Sequence, residues 1–191
     1  MGLYVQSLNN IPQSAHRDYY IYLLDYGWSE PLGNALMNNY EKMAQLAAEN
    51  DAVVIRGTHR VHFEDEVLSW HHINGENAED LLPAILITNR HPYLFKESYG
   101  NTNSCIEDDL KMILVPLKKF CSTTTDVISL VEKMFNDIKA HKDLKDFRVY
   151  KEMKKGLGHA LADAIILEPN FGGIGFSFSK MINYFRKNKF F

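Results

Sequence analysis

An early strand–helix–strand pattern constrains the fold of this chain more than any other feature. Residues 19–26 are aromatic or branched over most of their length, which is typical of a buried strand. A glycine ends this run, and Ser29 with Pro31 then indicates a helix start, because a hydroxyl can cap free backbone amides and proline gives up only an unpaired one. Apolar residues at helical spacing continue to about residue 49, and residues 52–56 form a second apolar run. This order predicts a parallel strand pair joined by a right-handed crossover.

The rest of the chain adds further predicted elements. In chain order they are a helix at residues 63–73, a strand at 82–88 opened by a proline, a strand at 111–117 whose Pro116 indicates a sheet edge, and a capped amphipathic helix at 127–138. The others are a long polar connection at 89–110, two strands at 147–153 and 161–167, and a final amphipathic segment at 178–185. We therefore expect an α/β core domain at residues 1–140 and a C-terminal extension, residues 141–191, packed on the same domain.

Composition excludes several classes of function. Of the 191 residues, 46% are apolar and 24% are charged, and the net charge is −3. Because there is no basic excess, we expect no binding to nucleic acid or to an anionic membrane surface. No apolar run reaches the roughly 18 residues of a membrane span, and the N-terminus lacks a secretory signal, so we expect a cytoplasmic protein.

Cysteine usage and glycine motifs give no sign of a cofactor. The two cysteines, Cys105 and Cys121, are too few for a disulfide scaffold and wrongly spaced for a zinc site. The chain has no glycine-rich dinucleotide fingerprint and no Walker-type phosphate loop. We predict no cofactor and no metal, and a protein or small-molecule partner, with self-association left open.

The turn at residues 28–32 resembles the active-site turn of the thioredoxin family. That family carries Trp-Cys-Gly-Pro-Cys where its first strand meets its helix, and the matching segment here is Trp28-Ser29-Glu30-Pro31-Leu32. Pro83, ahead of an apolar run, matches the proline that the family holds in cis beside its active site. The resemblance covers residues 17–140 and implies a thioredoxin-like three-layer sheet with a β-α-β core.

The same resemblance implies that dithiol chemistry is absent. Ser29 and Leu32 stand where the family has its two cysteines, and a serine hydroxyl cannot form a disulfide. The implied role is that of a redox-inactive binding or adaptor domain. It would recognise a protein or a small ligand through Trp28, Ser29 and Pro83.

A flavodoxin-like or TIR-like parallel sheet is the alternative architecture. Strands that alternate with helices also fit such a sheet, in which ligands bind at the carboxyl ends of the strands. The loops after Ile55, Thr88 and Leu117 would then line the site. Arg56, which follows Ile55, is a further candidate ligand-binding residue.

A cluster of histidines and acids after the second strand supports an enzymatic alternative. His59 and His62 precede Glu64 and Glu66 in the predicted helix, and a carboxylate near an imidazole is suited to proton transfer. These four residues are the candidate catalytic groups of a hydrolase or nucleotide-directed glycohydrolase. Their spacing does not match a recognised metal-binding motif. A solvated helix start, with acids favoured by the helix dipole, is the simpler explanation of the cluster.

Overall fold

In the part of the chain that the structure describes, five short strands, each largely apolar, assemble into one mixed sheet. The computed structural model describes residues 1–14, 16–27, 30–58, 62–71, 73, 81–97 and 112–156. The strands are β1 (Gly2–Val5), β2 (Tyr19–Leu24), β3 (Ala52–Gly57), β4 (Ala84–Thr88) and β5 (Met112–Pro116). Every residue of β2, β4 and β5 is buried, as expected for strands covered by helices on both faces.

The sheet order is β1-β3-β2-β4-β5, and the strand directions divide it into two halves. β1 and β2 run parallel to β3, which confirms the predicted β-α-β unit. β4 runs antiparallel to β2, and β5 runs antiparallel to β4. The antiparallel half excludes the all-parallel alternative for these strands. Because β4 runs in the opposite direction to β3, the loop after Thr88 leaves the sheet at the opposite end from the loop after β3. Among the described strands, β5 lies at one edge of the sheet, as Pro116 indicated.

Helices cover both faces of the sheet and make three layers. They are α1 (Pro31–Asn38), α2 (Tyr40–Ala48), α3 (Phe63–Trp70), α4 (Pro92–Glu97), α5 (Leu117–Phe120), α6 (Thr124–Lys139) and α7 (Arg148–Gly156). Side chains of α1, α2, α6 and α7 pack on one face. Side chains of α3 and α4 pack on the other, together with a short 3-10 turn, Leu8–Asn10. The α/β class predicted for the chain is confirmed.

Two helix boundaries differ from the sequence prediction. The single helix expected up to about residue 49 is broken at Asn39, whose side-chain amide donates to the Ala35 carbonyl at 2.7 Å. The N-cap of α1 is Glu30, which makes no side-chain capping bond, whereas the predicted cap Ser29 lies outside the described residues. The capped helix α6 is confirmed, with Thr123 and Asp126 bonding each other's backbone amides.

Three other predictions need correction. Residues 148–156 form a helix rather than a strand, because Val149 and Met153 fall one helical turn apart and are both buried in the core. The polar connection at 89–110 contains α4, which begins at a proline, while residues 98–111 lie outside the described part. Strand β1 was not predicted, since it is short and its Tyr4 is exposed. The segments predicted at 161–167 and 178–185 also lie outside the described residues.

Within the described part of the chain, no helix combines the length and the apolar character that crossing a bilayer requires.

Candidate functional site

The candidate site lies where three parallel strands end and an antiparallel strand begins. Tyr4 on β1 and Leu23 on β2 both pair with Arg56 on β3, and Leu24 pairs with Ala84, the first residue of β4. The ends of β1, β2 and β3 therefore lie side by side with Pro83. We call this the carboxyl edge: it comprises Tyr4, Asp25, Arg56, Pro83 and the Glu64 side chain from α3.

Pro83 lies where the sequence predicted, next to the end of β2. The Leu82–Pro83 peptide bond is cis. The Pro83 carbonyl accepts a hydrogen bond from the Leu117 amide at 2.8 Å, which ties the start of β4 to the start of α5. Trp28 and Ser29 lie outside the described residues, but the turn that carries them is bounded by Gly27, with φ of 75°, and by α1.

Asp25 follows the buried strand β2 directly, and sequence reasoning missed it. Its Oδ1 accepts from the Gly27 amide at 3.2 Å, and a Cβ placed on Gly33 would lie 2.7 Å from its Oδ2. Helix α1 thus packs against the carboxyl group. Burial raises the pKa of Asp25, and the Glu30 charge raises it further, while the Gly27 amide, Arg56 and Lys118 act in the opposite direction. The one signal in the sequence was an acid immediately after an apolar run.

Glu64 is the candidate residue that the fold brings to this edge. It is 7% exposed, and its carboxylate lies close to the Asp25 backbone amide, which lowers the pKa of Glu64 in opposition to burial. Burial raises the pKa of Glu64, and the Asp25 and Asp65 charges add to the rise. Asp25 packs under α1 and Glu64 comes from α3, so two acids meet the end of β2 from opposite faces of the sheet.

Glu66 and His62 are directed elsewhere. Glu66 accepts hydrogen bonds from the Ser7 hydroxyl at 2.7 Å and from the Leu8 amide at 2.9 Å, which fastens the 3-10 turn to α3. The His62 side chain is 89% exposed and lies 3.4 Å from an Asp65 oxygen. His59 lies outside the described residues. The structure therefore pairs Glu64 with Asp25 rather than with Glu66.

Two cations at the edge have different environments. Lys118 on α5 forms an ion pair with Glu30 at 3.0 Å. The Arg56 guanidinium instead lies over the Tyr4 ring, with its Cζ 5.7 Å from the ring centroid. Arg56 is half-buried, and within the described residues it forms no ion pair or hydrogen bond through its side chain.

The described thiol is buried and poorly reactive. Cys121 is 5% exposed, and its burial, with the Asp126 charge adding, raises its pKa to about 11. Cys105 lies outside the described residues. Among the residues that the structure describes, no group of three or more His, Cys, Asp or Glu side chains is arranged to hold a metal ion.

Comparisons of the chain with family models, with curated proteins and with solved structures find no match.

Proposed function

We propose that this chain is a redox-inactive domain of thioredoxin-like fold that binds a protein or a small ligand at the carboxyl edge. The resemblance at residues 28–32 is supported by the element order of the described chain. A parallel β-α-β unit is followed by two antiparallel strands, with Pro31 opening the first helix and Pro83 preceding β4. The positions of both prolines support the proposal.

The pairing of Leu24 with Ala84 is the observation that carries this proposal. It brings the end of β2 beside Pro83, the proline that the resemblance matches to the one beside the family's active site. At residues 28–32, Ser29 and Leu32 replace the two reactive cysteines. A site that has the shape of the family's site but lacks its two thiols retains ligand binding and loses dithiol electron transfer.

Restoring the cysteines tests the geometry. We expect Ser29→Cys/Leu32→Cys to form an intramolecular disulfide and to accelerate insulin reduction by dithiothreitol, because the helix start stabilises a thiolate at such a turn. Wild type and the matched control Ser29→Ala/Leu32→Ala should not accelerate it. If the double-cysteine variant stays reduced under mild oxidant while folded, the thioredoxin-like geometry is wrong. Thiol-dependent turnover by the wild type would refute redox inactivity.

Binding is tested by panning a random peptide library on the folded protein. Enriched peptides should shift the amide resonances of Gly27, Glu30 and Ala84 in a titration of the isotopically labelled chain. Peptides that shift only remote positions such as Lys139, or a library that yields no binder, would contradict a ligand site at this edge.

The Asp25–Glu64 pair favours a second candidate, a hydrolase or nucleotide-directed glycohydrolase. A buried carboxyl group with a raised pKa is suited to act as a general acid, and a second carboxyl group lies nearby. In a hydrolase screen, Glu64→Gln should then lower any detected activity by about 100-fold or more, whereas Glu66→Gln should retain it. Activity that survives both Glu64→Gln and Asp25→Asn would rule this candidate out.

A further inference from the structure

We propose that Arg56 is the anchor for an anionic oxygen group, a carboxylate or a phosphate, on the ligand of the carboxyl edge. This inference rests on the proposed binding function and names the chemistry that the edge recognises. It depends on three properties of the described residues. The guanidinium forms no ion pair, although its charge acts on the nearby Asp25; it lies over an exposed aromatic ring; and the acids of the edge are engaged by other groups.

Arg56 forms no ion pair with a described residue, whereas Arg17 and Arg148 each form one. Arg17 lies 3.7 Å from Asp51, and Arg148 lies 3.2 Å from Asp137. Across the described ranges, the Arg56 guanidinium forms no ion pair and instead lies over the Tyr4 ring. A guanidinium carries five N–H donors in a planar fork, and none of those of Arg56 forms a hydrogen bond with a described residue.

Tyr4 gives the guanidinium a fixed support. The Tyr4 ring packs against Tyr40 with 4.6 Å between centroids, and yet Tyr4 is 54% exposed. Its register opposite Arg56 in the sheet places the two side chains on the same face. An exposed tyrosine beneath an arginine combines an apolar contact surface with a directional cation, and these two residue types are enriched where binding energy is concentrated.

Three acids at or beside the carboxyl edge are engaged by other groups. Asp25 accepts from the Gly27 amide, Glu30 pairs with Lys118, and the Glu64 carboxylate lies close to the Asp25 amide. None of the three forms an ion pair with Arg56. A ligand carboxylate or phosphate can therefore take both edges of the guanidinium fork, the geometry in which arginine binds such groups most specifically.

Titration of the full-length labelled chain tests this assignment. The probes are inorganic phosphate, glutarate and the peptide Ac-Ala-Glu-Ala-Glu-Ala-NH2, and the Arg56 Nε–Hε resonance is followed. We expect a saturable shift for at least one probe, with a Kd of about 1 mM or lower. Phosphate separates a phosphate ligand from a carboxylate one, and glutarate against the peptide separates a small acid from an acidic chain segment.

Two substitutions separate bidentate recognition from net charge. Arg56→Lys keeps the charge and loses the fork, so binding should weaken by about tenfold, whereas Lys139→Gln, which removes an exposed charge elsewhere, should leave binding unchanged. No saturable shift with any probe, or an Arg56→Lys variant that binds as the wild type does, overturns the inference. If panned peptides still bind the edge in that case, the proposed function stands; if they do not, the proposed function fails independently of Arg56.

Discussion

The Glu64 carboxylate on α3 lies close to the backbone amide of Asp25, the residue that follows β2, and this amide favours the charged form of Glu64. The contact brings the end of a central strand against the helix on the opposite face from α1. The Asp25 side chain meanwhile packs against Gly33 on α1. The end of β2 and both flanking helices are thus connected through two partly desolvated acids.

Protonation of Asp25 should make the free energy of unfolding depend on pH. Because burial raises its pKa in the folded state, the protonated form is favoured by folding. The resulting stabilisation is present below the unfolded pKa of about 4 and is lost as the pH rises through the raised folded value. Asp25→Asn imitates the protonated form, so its free energy of unfolding should exceed that of the wild type at pH 7. The two should converge toward pH 4 in urea titrations.

Asp126 provides a control of opposite sign. Hydrogen bonds from the Thr123 and Ser122 amides lower its pKa, so its stabilisation is present above the unfolded pKa and is lost on acidification. Asp126→Asn should therefore be less stable than the wild type at pH 7. A loss of stability in Asp25→Asn that also grows with pH would contradict the burial argument.

Gly33→Ala should be destabilising only while Asp25 is present. The new Cβ would lie 2.7 Å from Oδ2 and 3.1 Å from Cγ of Asp25, and we expect a loss of about 1 kcal/mol or more in the free energy of unfolding. In an Asp25→Ala background the same change should stabilise by up to about 1 kcal/mol, because alanine favours a helix over glycine. Chemical denaturation of the four proteins in the cycle measures the coupling.

Gly57→Ala is the matched control for that cycle. Its Cβ would lie 2.5 Å from the Phe63 Cβ, which Asp25→Ala does not remove. It should remain destabilising in both backgrounds. Equal effects of Gly33→Ala with and without Asp25 would show that the carboxyl group is not what opposes the methyl group.

Glu66 should prove structural. Glu66→Ala leaves the Leu8 amide and the Ser7 hydroxyl without their acceptor, at a cost of about 1–3 kcal/mol in the free energy of unfolding. Hydrogen exchange at the Leu8 amide should accelerate together with this loss. Asp65→Ala, which removes an exposed acid from the same helix turn, should change stability by about 0.5 kcal/mol or less. Unchanged Leu8 exchange in Glu66→Ala would argue against the fastening role.

Of the acidic residues that contact the start of α7, Asp137 should contribute most to the free energy of unfolding, and this contribution should depend on pH. Its side chain is 0% exposed and accepts from Lys142 Nζ at 2.7 Å, from the Arg148 amide at 2.6 Å and from Arg148 Nε at 3.2 Å. Burial raises its pKa, but the bonds from Lys142 and Arg148 outweigh that effect and the pKa is lowered. Asp137→Ala should cost about 2–3 kcal/mol in the free energy of unfolding.

The contribution of Asp137 should vanish in acid. A lowered folded pKa gives stability that is present above the unfolded value of about 4 and is lost as the pH falls through the folded one. The difference in the free energy of unfolding between wild type and Asp137→Asn, measured by chemical denaturation, should therefore shrink as the pH falls. Asp146→Asn, whose partner Lys151 is exposed, should show a much smaller difference at every pH. Equal losses of stability in Asp137→Asn and Asp146→Asn would show that burial does not strengthen the contribution of Asp137.

Several elements could be predicted from the sequence because their signals are local. The strand at residues 19–24 is continuous in apolar residues, the α6 capping residues lie beside the turn they cap, and Pro116 forecast an edge. Helix α7 was mistaken for a strand, since a short stretch with few apolar residues fits both periods and only packing against α6 decides between them. Strand β1 escaped notice because an edge strand of four residues buries little.

For the candidate site, the sequence by itself determined which groups are present and which are missing: Ser29 and Leu32 instead of two thiols, an acid after β2, and an arginine at the end of β3. Only the tertiary structure decided that Glu64 meets Asp25, that Glu66 is taken up by Ser7 and Leu8, and that Arg56 rests on Tyr4. These contacts join residues far apart in the chain, and their geometry follows from strand register and helix packing. Local periodicity carries no information about which partners those will be.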